Sequence, residues 1–289
     1  IEVDPEQVKT PSDHFVVAKF YRPGRWSKEQ IQEEHTFLKD LLSYEIPVIS
    51  PLSFNDKTLF TTPSGDLYYA LFPKRGGRSL DELTQEQVEQ MGRLLGRLHN
   101  VGATKKSSHR ISLNVDTYGW QNLNFLLSKN LIGDSIASNY KTICEQLLKA
   151  IEPSFTNLKV QRLHGDCHLG NVLFGREGLF LLDFDDMVEG PPVQDLWPMF
   201  PGRDQYTKER IEKFIDAYEV MRPFDRSTLG LIEPLRALRM IHFSAWIGKR
   251  YEDLSFKRAF PDYGTDKYWQ EQLLDLREIL SIVQESQWC

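Results

Sequence analysis

The stretch His164-Gly165-Asp166-Cys167-His168-Leu169-Gly170-Asn171, followed by Leu181-Leu182-Asp183-Phe184-Asp185, decides how this chain is read. It places oxygen-bearing side chains at fixed separations: Asp166, then Asn171 five residues on, then Asp183 twelve residues later. Residues 172–174 and 179–184 are short apolar runs around Gly175 and Gly178, the pattern of a hairpin. Asp166 then falls on a loop before a strand, Asn171 returns across that loop, and Asp183 ends the second strand. Phosphoryl transfer needs such a set. The protein does little covalent chemistry in it, so catalysis rests on positioning and on neutralising charge. One carboxylate must orient the attacking hydroxyl and accept its proton, and hard oxygen donors must hold magnesium against the phosphates. Asp166 is the candidate proton acceptor, and Asn171 and Asp183 are the candidate magnesium ligands. An acidic loop with a chance Asn and Asp is the plainer reading, and the combined spacing argues against it.

Working outward, residues 15–21, Phe-Val-Val-Ala-Lys-Phe-Tyr, read as a strand ended by Pro23 and Gly24. Ser27 and Gln30 form a capping box, and Ile31, Glu34, Phe37, Leu38 and Leu41 share one face of the helix that follows. Two short strands are expected near 58–62 and 67–72. Thr84 and Gln87 make a second capping box before Val88, Met91, Leu94, Leu95 and Leu98. Helical spacing returns over 139–151 and dominates from 207 onward. The Gly-rich break Pro73-Lys-Arg-Gly-Gly-Arg-Ser79 is the expected hinge, which makes 1–72 an N-terminal lobe and 80–289 a C-terminal lobe.

Composition sets outer bounds. A 40% hydrophobic content over 289 residues is ample for a globular core and argues against disorder. With 35 basic and 41 acidic residues the net charge is −6, which gives no overall attraction to nucleic acid or an anionic membrane. No apolar run approaches the roughly 20 residues that cross a bilayer. Cys144, Cys167 and Cys289 show no CxxC spacing and read as reduced thiols of a cytoplasmic protein.

The loop and its partners resemble protein kinases, which carry a catalytic-loop Asp and Asn and a downstream Asp-Phe-Gly. Here Asp183-Phe184-Asp185 replaces Asp-Phe-Gly, a variant resembling the aminoglycoside-phosphotransferase and choline-kinase branch. Val16-Val17-Ala18-Lys19 resembles the kinase strand whose lysine contacts the α- and β-phosphates of ATP. A lone strand lysine is ordinarily a solvated edge residue, but beside this loop Lys19 reads as nucleotide-binding. Glu34 is its expected partner. Glu33 is the alternative, and its ordinary role is a solvated helix charge. Phe72-Pro73 is the expected inter-lobe linker, whose backbone groups would face adenine.

Narrower similarities, Gln194-Asp195-Leu196-Trp197 and Gly230-Leu231-Ile232-Glu233-Pro234-Leu235-Arg236-Ala237, join Phe15–Pro23, Glu33-Glu34-His35 and the 164–168 loop in resembling the bacterial stress response kinase A family. The resemblance spans nearly the whole chain. It implies an α+β, bilobal protein-kinase-like fold, with an antiparallel sheet and one helix in the small lobe and a larger, mainly helical second lobe. It also implies a cytoplasmic, monomeric serine/threonine protein kinase that uses ATP and magnesium, autophosphorylates and acts in a stress response. Members carry two strands and a phosphate-covering loop before the lysine strand. Only 18 residues precede Lys19, so residues 1–13 have room for at most part of the second strand.

Asp195 reads as a structural aspartate that steadies the loop through backbone hydrogen bonds. Asp185 and Asp186 read either as added charge near the metal or as a solvated turn. His164 reads as packing, His168 as a structural histidine in preference to a phosphate contact, and Cys167 as a small buried side chain. Arg236, Arg239, His242 and Trp246 are read as core-helix residues before acceptor-cleft residues. A small-molecule kinase would use the same Asp166, Asn171 and Asp183, and a nucleotide-binding pseudokinase would bind without turnover. The family resemblance favours the protein kinase.

Overall fold

The structure, a computed structural model, describes residues 15–286. The part-strand expected within residues 1–13, and Cys289, lie outside them. In chain order the elements are β1 (Val16–Tyr21), α1 (Lys28–Ser43), β2 (Phe60–Thr61), β3 (Tyr68–Pro73), β4 (Arg78–Ser79), α2 (Gln85–Gly102), α3 (Gln121–Ser128) and α4 (Asp134–Ile151). There follow β5 (Gln161–Leu163), β6 (Val172–Gly175), β7 (Gly178–Leu181), β8 (Val188–Gly190), α5 (Val193–Leu196), α6 (Gln205–Glu219), α7 (Ile232–Gly248), α8 (Leu254–Ala259) and α9 (Asp266–Ser286). The arrangement is a bilobal α+β fold with a small, sheet-containing N-lobe and a larger helical C-lobe. Among the described residues no helix is long and apolar enough to cross a membrane.

The small lobe follows from its sequence pattern. β1 pairs antiparallel with β3, Lys19 opposite Ala70 and Val17 opposite Phe72, and β2 completes the sheet in the order β1-β3-β2. Tyr21, Ile31 and Ala70 form its core, with Trp26, Leu59, Tyr68 and Phe72 packed against them. α1 starts where expected: Ser27 accepts from the Gln30 backbone and the Gln30 side chain caps Ser27 in return. Its face at Ile31, Glu34, Phe37, Leu38 and Leu41 is almost wholly buried, so the one charged member of that face must find partners inside the protein.

Contacts divide the chain into two compact units. One runs to Arg110 and resumes over Val160–Phe224; the other is Ile111–Lys159 with Asp225 onward. Within the first, β6 and β7 form the expected hairpin with Gly175 opposite Gly178, and β4 pairs with β6. Two residues of the stretch read as a hinge, Arg78 and Ser79, are thus strand residues. α2 and α6 pack closely because Gly92 has no side chain: a Cβ there would sit 2.4 Å from the Phe214 carbonyl oxygen. Arg162 on β5 ties three elements together. Its Nη1 donates to Asp40 on α1 at 2.9 Å, its Nη2 donates to the Val101 carbonyl on α2 at 3.1 Å, and its guanidinium lies 4.5 Å from the centre of the Phe37 ring.

In the second unit, α4 meets α9 where Tyr140 stands edge-on to Trp269 at 5.3 Å, and Trp269 Nε1 donates to the Leu131 carbonyl at 2.9 Å. A π-helical turn, Val115–Trp120, leads into α3. Its Tyr118 stacks on His242 of α7 at 4.3 Å, and Trp246 stacks on Phe243 at 5.6 Å. His242 and Trp246, two of the α7 residues weighed for an acceptor cleft, are therefore engaged in ring packing within the unit.

The α2–α6 contact is directly testable. Gly92→Val should force these helices apart and cost about 1–3 kcal/mol, lowering the melting temperature by several degrees in a calorimetric scan. An unchanged melting temperature would contradict the close approach.

Candidate active site

The 164–171 loop is held from behind by one buried carboxylate. Asp195, on α5, is fully buried; its Oδ2 accepts from the backbone N–H of His164 at 2.8 Å and its Oδ1 from that of Gly165 at 2.8 Å. His99 Nε2 of α2 lies 3.1 Å from the same Oδ2. Next to it, Gln194 donates to the Gly165 carbonyl at 2.9 Å and is itself oriented by Trp197 Nε1 at 3.1 Å. Three of the four residues of the Gln194–Trp197 quartet thus serve the loop. Gly165 has φ +86, and a Cβ there would lie 2.0 Å from the Asp186 carbonyl oxygen, so no other residue fits.

Loop histidines divide their work. His164 is fully buried, its ring 4.4 Å from that of Phe184; Nε2 donates to the Leu182 carbonyl at 2.7 Å and Nδ1 accepts from the Asp166 N–H at 3.3 Å. It packs the turn beside Asp183 against the loop beside Asp166. His168 accepts from the Gly170 N–H through Nδ1 at 3.0 Å, which leaves Nε2 as its protonated nitrogen, 3.4 Å from Asp166 Oδ2. Asn171 donates through Nδ2 to the Asp166 carbonyl at 2.9 Å, so Oδ1 is the atom it has to offer a cation. Cys167 is fully buried; burial, with Asp195 and Asp166 nearby, pushes its thiol well above the ordinary range and keeps it an inert packing group.

Facing this loop is the lysine strand. Lys19 Nζ lies 2.8 Å from Asp183 Oδ1, 3.3 Å from Asp185 Oδ1 and 3.7 Å from Glu34 Oε1. Asp183 sits two residues beyond β7, not at its end, in a left-handed conformation with φ +53 that an aspartate tolerates better than most residues. Its side chain remains 55% exposed, whereas that of Glu34 is 1% exposed. The electrostatics follow. Burial pulls the Lys19 ammonium down, but Glu34, Asp185 and Asp183 together outweigh it and raise its pKa. Burial pushes Glu34 up, Lys19 and Arg110 pull it back against Asp185 and Asp183, and it stands at about 7. Asp183 feels burial in the same sense, but the charge and hydrogen bond of Lys19, with His164, hold it below the usual carboxylate range.

A cavity of about 540 Å³ opens on these groups. Lys19, Glu34 and Asp183 line it together with the 72–75 segment and the apolar Val17 and Leu173. Phe72 packs edge-on to His35 at 6.5 Å, so its side chain belongs to the lobe core and its backbone is what the cavity wall can offer. A divalent cation fits the donor set: carboxylate and carboxamide oxygens are hard ligands. Among the described residues no three His, Cys, Asp or Glu side chains converge into a metal cage, and a magnesium ion bound with phosphates needs only one or two carboxylates.

Several residues here carried no legible signal in the sequence. Glu33 is no solvated helix charge: its carboxylate accepts from three consecutive backbone N–H groups, those of Ser108, His109 and Arg110, at 2.6, 3.0 and 2.8 Å. Asp185 and Asp186 do not form a solvated turn either, since Arg25 meets Asp185 Oδ2 at 2.6 Å and Asp186 Oδ1 at 2.7 Å. Arg110 and Arg25 sit outside every recognisable motif. Only the burial of Glu34 on an apolar helix face hints that cations must reach it.

Against known proteins, residues 7–231 match the model of the phosphotransferase enzyme family. Stress response kinase A of Escherichia coli (strain K12) is 37% identical over 270 residues, covering 93% of this chain and 81% of that protein. The serine/threonine protein kinase RdoA of Salmonella typhimurium (strain LT2) is 38% identical over the same share. Among solved structures, the amicoumacin kinase hAmiN, bound to AMP-PNP, Ca2+ and Ami, superposes with a TM-score of 0.70 at 18% identity, covering 96% of this chain and 89% of that one. The choline kinase LicA from Streptococcus pneumoniae does so with a TM-score of 0.61 at 17% identity, covering 91% and 86%. Identities this low speak for the fold alone. The family match and the two kinases identical at 37% and 38% settle the relationship: this chain belongs to the phosphotransferase enzyme family, among the stress response kinase A proteins, and is an ATP-dependent phosphotransferase.

Proposed function

We propose that the protein is a serine/threonine protein kinase of the stress response, with magnesium as the metal that accompanies ATP and its own chain among its acceptors. The observation that carries this is the convergence of Lys19 on Asp183 at 2.8 Å, with Glu34 behind it, at the wall of a cavity large enough for a nucleotide. The acceptor class rests on the Salmonella typhimurium relative, which is a serine/threonine protein kinase by name.

In this reading Lys19 binds the α- and β-phosphates, Glu34 fixes its ammonium, and the backbone at Phe72 meets the adenine. Asp183 and Asn171 Oδ1 would hold magnesium, which when bound supplies positive charge to offset that of the phosphates. Asp166 accepts the hydrogen bond of the serine or threonine hydroxyl and aims its oxygen at the γ-phosphorus. As the new O–P bond forms, the bond to the β–γ bridging oxygen breaks, ADP leaves, and the hydroxyl proton passes to the Asp166 carboxylate. His168 Nε2, 3.4 Å from Asp166 Oδ2, and the Asn171 hydrogen bond to the Asp166 carbonyl limit the directions in which that carboxylate can swing. Asp195 acts one step further back, by holding the loop's backbone.

The two aspartates should fail differently. Asp166→Asn removes the proton acceptor and should lower kcat by about 10²–10⁴-fold while ADP still binds. Asp183→Asn should weaken magnesium-dependent nucleotide binding as well, which calorimetric titration would read. Wild-type turnover in both variants would rule out the assignment. The acceptor class is tested by offering labelled ATP to the protein alone, to a generic protein substrate and to a panel of small alcohols. Asp166-dependent label on protein serine or threonine is the expected result; label confined to a small alcohol would overturn the protein-kinase reading.

A further inference from the structure

After α2 the chain runs through Lys105-Lys106-Ser107-Ser108-His109-Arg110, a polar segment with no motif. A loop of this composition would ordinarily be solvated. Instead it lies along α1 and is gripped at every residue from 107 to 110. Ser107 N–H donates to Glu189 of β8 at 2.6 Å. The next three N–H groups converge on the Glu33 carboxylate, an arrangement in which successive amides act as a small anion-binding cup. The His109 carbonyl accepts from Gln30 Nε2 at 3.0 Å.

That grip delivers Arg110. Its side chain is wholly buried, and its guanidinium lies 4.5 Å from the Trp26 ring centre. Each arm of the fork has its own acceptor: Nε donates to the Gln30 carbonyl at 2.8 Å, Nη2 to Glu34 Oε2 at 3.0 Å and Nη1 to the Asp185 carbonyl at 2.6 Å. The two ends of this span matter. Glu34 offers its other oxygen, Oε1, to Lys19, and Asp185 lies two residues beyond Asp183. One planar group therefore sets the distance between the helix that holds the lysine and the turn that bears Asp183. A guanidinium suits this span because its donors sit on three nitrogens of one rigid plane, whereas a lysine offers its three from a single atom. Arg25 braces the same turn from the other side through Asp185 and Asp186.

We propose that Arg110, presented by the Glu33-bound 107–110 strap, is a positioning residue for nucleotide binding: it locks α1 to the Asp183–Asp186 turn, so that Glu34, Lys19 and Asp183 are held in register by the fold itself. The inference rests on the reading of Lys19, Glu34 and Asp183 as the nucleotide site. It makes the strap the counterpart of a switch that is always closed: this chain needs no added group to bring its helix glutamate to its lysine.

The test compares Arg110→Met, Arg110→Lys, Glu33→Gln and Lys19→Met in the intact protein. Three quantities are read: the Kd for magnesium-ADP by calorimetry, the KM for ATP against kcat, and the melting curve. Arg110→Met should raise Kd and KM by about 10–100-fold, as loss of a partner that orients a ligand group does. Arg110→Lys, which keeps the charge but not the fork, should recover only part of the loss. Glu33→Gln leaves Arg110 in place and only loosens the strap; about fivefold is expected, and this variant decides the matter if Arg110→Met does not fold. Folded Arg110 and Glu33 variants that melt lower but keep the wild-type Kd and KM would overturn the proposal, since they would reduce Arg110 to a fold-stabilising role. Lys19→Met separates the two levels. If it loses nucleotide while the Arg110 and Glu33 variants do not, only this inference falls; if it too binds normally, the site reading falls and the inference with it.

Discussion

A carboxylate on the buried face of a helix cannot stay ionised without cations brought to it. Glu34 is such a group, and most of the N-terminal half of the site can be understood as the answer to it. The apolar neighbours Ile31, Phe37, Leu38 and Leu41 decide that this face turns inward, and Glu34 goes with them. Lys19 reaches it from β1 and Arg110 from the strap, one to each carboxylate oxygen. Those two cations in turn draw in the 183–186 turn, Lys19 through Asp183 and Asp185 and Arg110 through a backbone carbonyl. The resulting lattice of alternating charges joins a strand, a helix, a strap and a turn that are far apart in the chain.

The 164–171 loop is secured on a different principle. Asp195 is also a buried carboxylate, but it is satisfied by backbone N–H groups and by His99, not by a formal ion pair with Lys or Arg. Oriented amides cost no side-chain entropy and do not exchange partners when charges nearby change. This suits the parts: the loop bearing Asp166 is anchored to neutral dipoles, while Lys19 and Asp183 are held by charges that a triphosphate and its cation can compete with. Under the proposed function, a site that must release one highly charged product and admit another substrate would benefit from having its proton acceptor on the first kind of support and its phosphate contacts on the second.

How far the sequence foretold this depends on the range of the signal. Local rules read correctly: the capping boxes at Ser27 and Thr84 are formed as spaced, the apolar stripe of α1 is buried, and the hairpin closes around Gly175 and Gly178. Asp166, Asn171 and Asp183 stand out as candidates because phosphoryl transfer constrains both the types and the spacing of its residues. Glu33 was misjudged because a half-exposed glutamate on a helix looks the same in sequence whether it meets water or three amides 75 to 77 residues away. Arg110 was invisible for the same reason; a single arginine in a polar loop has no periodicity and no motif. Asp183 was placed at a strand end because apolar runs mark strands well and say little about the left-handed residue that follows one. What stayed hidden was long-range pairing of charges, which no local pattern encodes.

Under the proposed function, the groups converging on Lys19 and Asp183 form the site at which ATP is held for transfer to a hydroxyl. A crystal structure of the protein with magnesium and a non-hydrolysable ATP analogue tests it most directly. The triphosphate should lie against Lys19, with Asp183 and Asn171 holding the metal, the adenine against the backbone at Phe72, and the γ-phosphate facing Asp166. A nucleotide lodged away from Lys19, or a metal that ignores both Asp183 and Asn171, would contradict it.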